Sequence, residues 1–376
     1  MSSASITVAV IKGDGIGPDV TDAATAAIDA AVAALGLGAV TYQEIKAGAG
    51  VFKETGRDIE PGGDERAGQA DAILLGAIGL PSVRQKDGTE ITPHLRLREI
   101  YQLYAGVRPV RAYPNGPQRL ADPRARDIDL IILRESTEGL FYSAAVHGRA
   151  EVIGDTEVRE TLRITRATTE KLHTFAFNLA RKRKARRGKA LVTCVDKANV
   201  FESMAFFRRI FDEVAEGFPD IETGRNYVDA QALDLIRQPW AFDILVMENM
   251  FGDIISDLGG GLVGGMGMAS CAEIGDDAGL FQPAHGSAPD IAGQDKANPL
   301  AAILSGGLLL DYLAEKLDRP ELADAGLLID DAVYRGFYER LIDPMEFGGT
   351  MGTRDVAATV CRLIGEPQTR DFQRNH

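Results

Sequence analysis

The chain has 376 residues, 45% of them hydrophobic and 26% charged, an ordinary balance for a globular protein and enough for two domains or one large α/β unit. Its net charge of −14 argues against nucleic acid as the principal partner, because phosphate binding needs a basic surface. Three widely spaced cysteines, Cys194, Cys271 and Cys361, make neither a disulfide framework nor a zinc spacing and suit a reducing compartment.

A polar start runs directly into the first strand pattern, without the form of a signal peptide, and no uninterrupted apolar run reaches membrane-spanning length. A cytoplasmic protein without membrane contact is expected. Strands are predicted at 6–11, 39–45, 72–75, 130–133, 190–195 and 244–247. Helices are predicted at 19–35, 96–104, 161–183, 198–215, 230–237, 299–317 and 330–341. Such alternation is the sequence form of α/β architecture. The weak alternation over 147–160 reads as a projecting hairpin arm.

Gly13, Gly15 and Gly17 with Pro18 follow the first strand and open a helix. Pro18 stands where a dinucleotide fingerprint needs its last glycine, and no acid ends the second strand at the required distance, so a Rossmann fold is not expected. What remains is a tight turn suited to approach by a ligand. Arg98 and Arg108 bracket 100–107, with Pro109 expected to stop that element, and Arg134 follows an apolar strand. Three guanidinium groups at strand and helix ends would suit a di- or tricarboxylate. The basic run 181–189 reads as a helix C-terminus closed by Gly188 rather than a nucleic-acid patch, since no aromatics interleave it.

Lys197 follows another strand end, where a lysine that loses proton affinity can act as a base. Asp229 follows a short apolar run. Asp253 and Asp257, four residues apart, share one face if their segment is helical. Two such anions repel unless a cation intervenes, and only Arg225 and Arg237 are near in sequence. An oxygen-ligated Mg²⁺ or Mn²⁺ is the natural reading. Glycines and apolar residues interleave over 259–267, which suits close helix packing at a subunit seam as well as a hinge. Residues 285–290, with Asn298, form a loop rich in hydrogen-bonding groups that would suit a nucleotide.

Taken together, GDGIGP at 13–18, LRxxxxLYAGVRPV from Leu97, RESTEG at 134–139, VDKANV at 195–200, YVDA at 227–230, NMFGDIISD at 249–257 and HGSAPDIAG at 285–293 resemble the β-decarboxylating dehydrogenase family. That family contains 3-isopropylmalate, isocitrate, homoisocitrate, tartrate and D-malate dehydrogenases. The resemblance implies an α/β fold of the isocitrate/isopropylmalate dehydrogenase kind, two α/β domains sharing a large mixed sheet. Residues 1–110 and 265–376 would form a large NAD-binding domain, and 111–264 a smaller dimerisation and catalytic domain carrying the arm.

The reaction implied is NAD-dependent oxidative decarboxylation of a 3-substituted malate, with 3-isopropylmalate, and hence leucine biosynthesis, first. D-malate, tartrate, isocitrate and homoisocitrate are the alternatives. A Mg²⁺-dependent phosphoryl-transfer enzyme is disfavoured, because no phosphate loop of the GxxxxGK[ST] kind is present.

Residue by residue, the resemblance gives Arg98, Arg108 and Arg134 the substrate carboxylates. Asp229, Asp253 and Asp257 would hold the Mg²⁺ or Mn²⁺, with Asp229 and Lys197 facing the other subunit's pair in a homodimer that shares its active sites. Lys197 would take the hydroxyl proton. Gly76, Ala77, Thr92, His285, Gly286, Ser287, Ala288, Pro289, Asp290 and Asn298 would bind NAD, with the Asp290 carboxylate favouring a ribose hydroxyl over the 2′-phosphate of NADP. Three positions depart from the family. Phe141 stands where the enolate-protonating tyrosine is usual, so Tyr142 is the expected donor. His94 stands where isopropylmalate enzymes have an apolar contact to the C3 substituent, and reads either as a specificity residue or as a surface histidine. Ile91 replaces a glutamate found near the nicotinamide ribose in some members.

Overall fold

The computed structural model describes residues 5–145, 150–187 and 190–366. Its strands are β1 (Ile6–Gly13), β2 (Val40–Glu44), β3 (Ala72–Ala77), β4 (Ala105–Arg111), β5 (Asp129–Glu135), β6 (Glu151–Ile153), β7 (Glu157–Arg159), β8 (Leu191–Asp196), β9 (Glu222–Tyr227), β10 (Ile244–Met247), β11 (Ser270–Ile274) and β12 (Gly279–Pro283). Ten of them make one mixed sheet in the order β2-β1-β3-β12-β11-β4-β5-β10-β8-β9. The flanks β2-β1-β3-β12 and β5-β10-β8-β9 are internally parallel. In the middle, β11 runs antiparallel to both β12 and β4, and β4 antiparallel to β5. β6 and β7 pair as a separate antiparallel hairpin, the predicted arm; the first part of that prediction, 147–149, lies outside the described residues.

The inner flank strands β3 and β10 are buried on both faces, which is why 72–77 and 244–247 read as continuous apolar runs. Helix Gly17–Ala34 packs against helices Leu300–Lys316 and Thr353–Gly365 over the first flank, burying Val20, Ala24, Ala27, Ile28 and Ala31 at helical spacing. On the other flank, helix Arg166–Arg187 packs on helix Glu202–Ala215, with Phe177 stacked on Phe211 and Phe218.

Several expectations need correction. Pro109 does not stop an element. It sits inside β4 opposite Ile131, two residues beyond the last residue that β4 pairs with β11, Val107, where a missing donor interrupts no two-sided ladder. The helix predicted at 330–341 begins at Glu321, and strands β4, β9, β11 and β12 were not separated from their surroundings. The glycines at 13–18 are not open to a ligand: Asp14 N–H donates to Ala77 O and Ile16 N–H to Ser287 O, both at 2.7 Å. Gly13 and Gly15 have φ of +75° and +58°, and a Cβ on either would lie about 2 Å from those same carbonyls. The turn is a clamp between β3 and the 285–290 loop.

The glycine-rich stretch closes a helix and then turns. Gly259 lies in helix Asn249–Leu262 against Val110 and Ile132 of the same chain, so its close packing is internal. Gly264 and Gly265 then adopt φ of +144° and +139° in the turn that follows. In the basic run, Arg181 pairs with Asp220, Lys182 with Glu315, and Arg183 with Asp129 and Asp243. The run lies at the C-terminal end of helix Arg166–Arg187, as expected, and these pairs tie it to the domain; Gly188 and Lys189 lie outside the described residues. Among the described residues no helix is long and apolar enough to cross a membrane.

Candidate active site

Register across the sheet builds the first half of the site. Glu273 of β11 pairs with Gly106 of β4, and Gly106 pairs with Arg134 of β5. Directly paired residues project from the same face, so Glu273 and Arg134 stand on either side of a position with no side chain. Arg108, two residues along β4 from Gly106, shares that face. Arg98 reaches in from helix Pro93–Ile100.

All three arginines and Glu273 are buried. Glu273 Oε1 accepts from one Nη of Arg98 and one of Arg108, each at 2.8 Å. Burial alone would raise the Glu273 pKa, but Arg98, Arg108 and Arg134 hold it down at about 2. Burial first, then the neighbouring Arg98 charge, lowers Arg134 to about 10. Nε of Arg98 and Nε and Nη1 of Arg108 have no hydrogen-bond partner. Buried donors left in that state mark where an anionic ligand would bind.

Arg134 is locked from a second direction. Its Nε and Nη2 donate to Asn249 Oδ1 at 3.0 and 2.7 Å, and its remaining Nη pairs with Asp253. Helix Asn249–Leu262 approaches β5 closely because Gly252 has no side chain: a Cβ there would lie 2.6 Å from Arg134 Cβ. Glu248 caps that helix by accepting from the Met250 and Phe251 N–H groups. The loop after Arg134 is held by its own acids. Glu135 accepts from Thr137 and Glu138, and burial pushes its pKa up to about 7; Glu138 accepts from Thr165.

Asp253 and Asp257 lie one turn apart on that helix, as the spacing predicts. The cation that sequence proximity missed is Arg134, 119 positions from Asp253. Asp257 is still pushed upward, by partial burial and by the Asp253 charge. Two carboxylates of this kind fit a hard divalent cation, but among the described residues one chain gathers no group of three or more candidate metal ligands.

The second half lies at the ends of β8 and β9. Lys197 Nζ meets Asp229 Oδ1 at 2.5 Å, and that hydrogen bond lowers the Asp229 pKa. Asp196 shapes the turn by accepting from Ala198 N–H and from Arg208. Among the described residues no hydrogen bond or ion pair joins Lys197 or Asp229 to Asp253 or Asp257.

His94 is not a surface histidine. It opens helix Pro93–Ile100 one turn before Arg98, its Nδ1 is buried without a partner, and burial, then the Arg98 charge, lowers its pKa to about 3. The ring stacked on Arg134 belongs to Phe141, with the guanidinium 5.0 Å from its centroid. Tyr142 instead lies under Arg163 at 4.4 Å, so the structure does not bring the expected proton donor onto Arg134.

The cofactor candidates fall into two kinds. Gly76 is packed shut, with Lys12 O and Thr21 Oγ1 each 2.4 Å from a Cβ placed there, and Ala77 O holds the Asp14 turn. Ser287 Oγ donates to Gly79 O, and Asn298 donates to Glu346 at 2.8 Å. These four are tied into the surrounding structure. Gly286, Pro289 and Asp290 are exposed; Ala288 holds a φ of +36°, and Thr92 precedes the His94 helix. His285 Nε2 is buried without a partner, and burial lowers its pKa.

Sequence reading missed Glu273, Asn249 and Asp14, whose carboxylate accepts from the Ala49, Gly50 and Gly79 N–H groups at 2.8 Å. A charge inside the otherwise uncharged 270–274 was the one local signal for Glu273.

A profile of the isocitrate/isopropylmalate dehydrogenase family matches residues 7–359. The 3-isopropylmalate dehydrogenase of Carboxydothermus hydrogenoformans is 40% identical, covering 92% of this chain and 90% of that protein. The 3-isopropylmalate/3-methylmalate dehydrogenase of Methanocaldococcus jannaschii is 39% identical over 96% and 99%. Among solved structures, the isocitrate dehydrogenase of Methylococcus capsulatus superposes with a TM-score of 0.81 at 31% identity, covering 96% of this chain and all of that one.

Proposed function

The chain belongs to the isocitrate/isopropylmalate dehydrogenase family and is an oxidative decarboxylating dehydrogenase, and on that premise we propose an NAD- and Mg²⁺- or Mn²⁺-dependent enzyme acting on a 3-substituted malate. The observation that carries this reading is the cluster of Arg98, Arg108 and Arg134, buried with unspent donors beside the Asp253–Asp257 pair. The substrate names of its relatives put 3-isopropylmalate first, and D-malate, tartrate, isocitrate and homoisocitrate are the alternatives that the family resemblance leaves.

In this reading the unspent N–H groups of Arg98 and Arg108 clamp the substrate carboxylates, a bidentate task for which guanidinium is suited. Arg134, held by Asn249, fixes the angle of approach. Asp253 and Asp257 would hold the divalent ion with Asp229 of a second copy, and that ion would supply Lewis-acid stabilisation of charge at the C2 oxygen. Lys197, held in place by Asp229, is positioned to take the proton of the C2 hydroxyl. The 285–290 loop would hold NAD, which would supply the hydride acceptor, and Asp290 is the residue that would meet a ribose hydroxyl.

The split between the two halves supports a homodimer. Leu233 and Ile236 on helix Val228–Arg237, Ile254 on helix Asn249–Leu262, and Val200 and Phe201 beside Lys197 are all exposed. Apolar groups so placed around both halves suit burial against a second copy. Val152 and Val158 on the arm are also exposed and would reach across. The division into 1–110 with 265–376 and 111–264 belongs to the same reading.

The test is NADH absorbance with Mn²⁺ and a panel of malates, including 3-isopropylmalate; silence with every member would refute the reading. Asp290→Lys is expected to raise the NADP/NAD ratio of kcat/KM by about tenfold or more, as removing a charge repulsion of ~1.4 kcal/mol would. An unchanged ratio would remove Asp290 from cofactor choice.

A further inference from the structure

The 285–290 loop is tied to the turn after β1 by a closed set of contacts. Ser287 O accepts from Ile16 N–H at 2.7 Å, and Ser287 Oγ donates to Gly79 O. Gly79 N–H in turn donates to Asp14 Oδ2 at 2.8 Å. The path from Asp14 to Gly79, on to Ser287 and then to Ile16 returns along the chain to Asp14. It is a ring that joins three segments far apart in sequence, and Asp14 is its only charge.

Asp14 is 7% exposed, and its oxygens also accept from the Ala49 and Gly50 N–H groups at 2.8 Å. A buried carboxylate is costly unless hydrogen bonds satisfy it, and bonds to a charged acceptor are about twice as strong as neutral ones. Gly48 allows the approach: with a φ of +130°, it would place a Cβ 2.6 Å from Oδ2. The loop held in this way fits a nucleotide, since Gly286, Pro289 and Asp290 are exposed and His285 Nε2 is buried without a partner.

We propose that Asp14 is a positioning residue for NAD, fixing through Gly79 and Ser287 where the 285–290 loop meets the cofactor. This rests on the dehydrogenase reading, in which that loop holds NAD. The Asp14 carboxylate is spent on backbone N–H groups, so it acts through the loop rather than on the cofactor. His285 and Asp290 both lie within three residues of Ser287, so opening the ring displaces them together. A displacement of about 1 Å can cost far more than the lost bond itself.

Two substitutions grade the effect. Asp14→Ala removes every acceptor. Asp14→Asn keeps the shape but has one oxygen, so it retains either the Gly50 bond or the Ala49 and Gly79 bonds and sets its NH₂ against the other donors.

The experiment is binding of NADH to the full-length protein, read from the fluorescence of NADH itself with no substrate present. Asp14→Ala is expected to weaken Kd by about tenfold or more, the size of one lost hydrogen bond to a charged group, and Asp14→Asn by less. In turnover, KM for NAD should rise by the same factor, while kcat and KM for the malate move by less than about twofold. A residue that only stabilised the fold would lower the working fraction, and with it kcat, at an unchanged KM for NAD. Hydrogen exchange in the cofactor-free protein should quicken over 285–293 and not over β5 or β10. Combining Asp14→Asn with Ser287→Ala should cost less than the product of the two single losses, because both open one ring; a full product would overturn the route through Ser287.

A parent that binds no NADH overturns both this inference and the reading beneath it. A parent that binds NADH, with folded Asp14 variants that bind it equally well, overturns the inference alone. Asp14→Asn decides if the alanine variant fails to fold, and failure of both to fold would make Asp14 structural and end the proposal.

Discussion

The two halves of the site are built in opposite ways. Arg134 has a side chain 4% exposed, tied to Asn249 and Asp253 and closed in by the absent Cβ of Gly252. Lys197 and Asp229 hold each other with side chains 24% and 68% exposed, at a rim surrounded by uncovered apolar residues. The buried half is organised by one chain alone, and its charges are already set against one another. The exposed half is a reactive pair without a roof. A charge pair is worth little in water and far more once covered, so the second half gains its chemistry only when something covers it.

The contrast breaks most sharply with Lys197→Met. Loss of the base is expected to lower kcat by about 10²–10⁴-fold, while the thermal midpoint stays where it was, because an exposed pair contributes little to stability. A large fall in Tm would show that Lys197 is structural. Next comes complementation. Lys197→Met and Arg134→Met should each be inactive, yet mixing them through mild denaturation should restore about a quarter of parental activity, since half the dimers are then mixed and each keeps one intact shared site. Failure to recover any activity would put both halves of each site in one chain.

Gly252→Ala addresses the buried half. Its new Cβ meets Arg134 Cβ at 2.6 Å, so overpacking should cost about 1–3 kcal/mol in urea denaturation and raise KM as the guanidinium shifts. The smallest effect is in acid. Glu273 has a folded pKa of about 2, below its ordinary value of 4.5, so between those values the unfolded chain binds more protons than the folded one. Its contribution is complete above pH 4.5 and is lost as pH falls toward 2. Glu273→Gln should therefore flatten the acid limb of the stability profile; an identical limb in the variant would place the titrating carboxylate elsewhere.

The sequence was most informative wherever function depends on local spacing. The Asp253–Asp257 interval needs nothing but a helix to align it, and β10 was read to its last residue because a strand buried on both faces has no polar interruptions. Motif order also carried the family, since seven segments in sequence constrain far more than any one. What stayed hidden was pairing at long range. Nothing near Glu273 announces that it will sit one strand from Arg134, because Gly106 brings them together only through the antiparallel register of β11, β4 and β5. The turn at 13–18 was legible as a turn, whereas its occupation by Ala77 and Ser287 required β3 and the 285–290 loop to be in place.

From its residues alone, then, this protein's α/β class, its family and the types of side chain its chemistry requires were already determined, because local spacing and residue order survive in one dimension. The tertiary structure decided which charges neutralise one another and which remain unspent. Electrostatic environment is set by distance and burial, and both arise only when strands far apart in the chain are laid side by side.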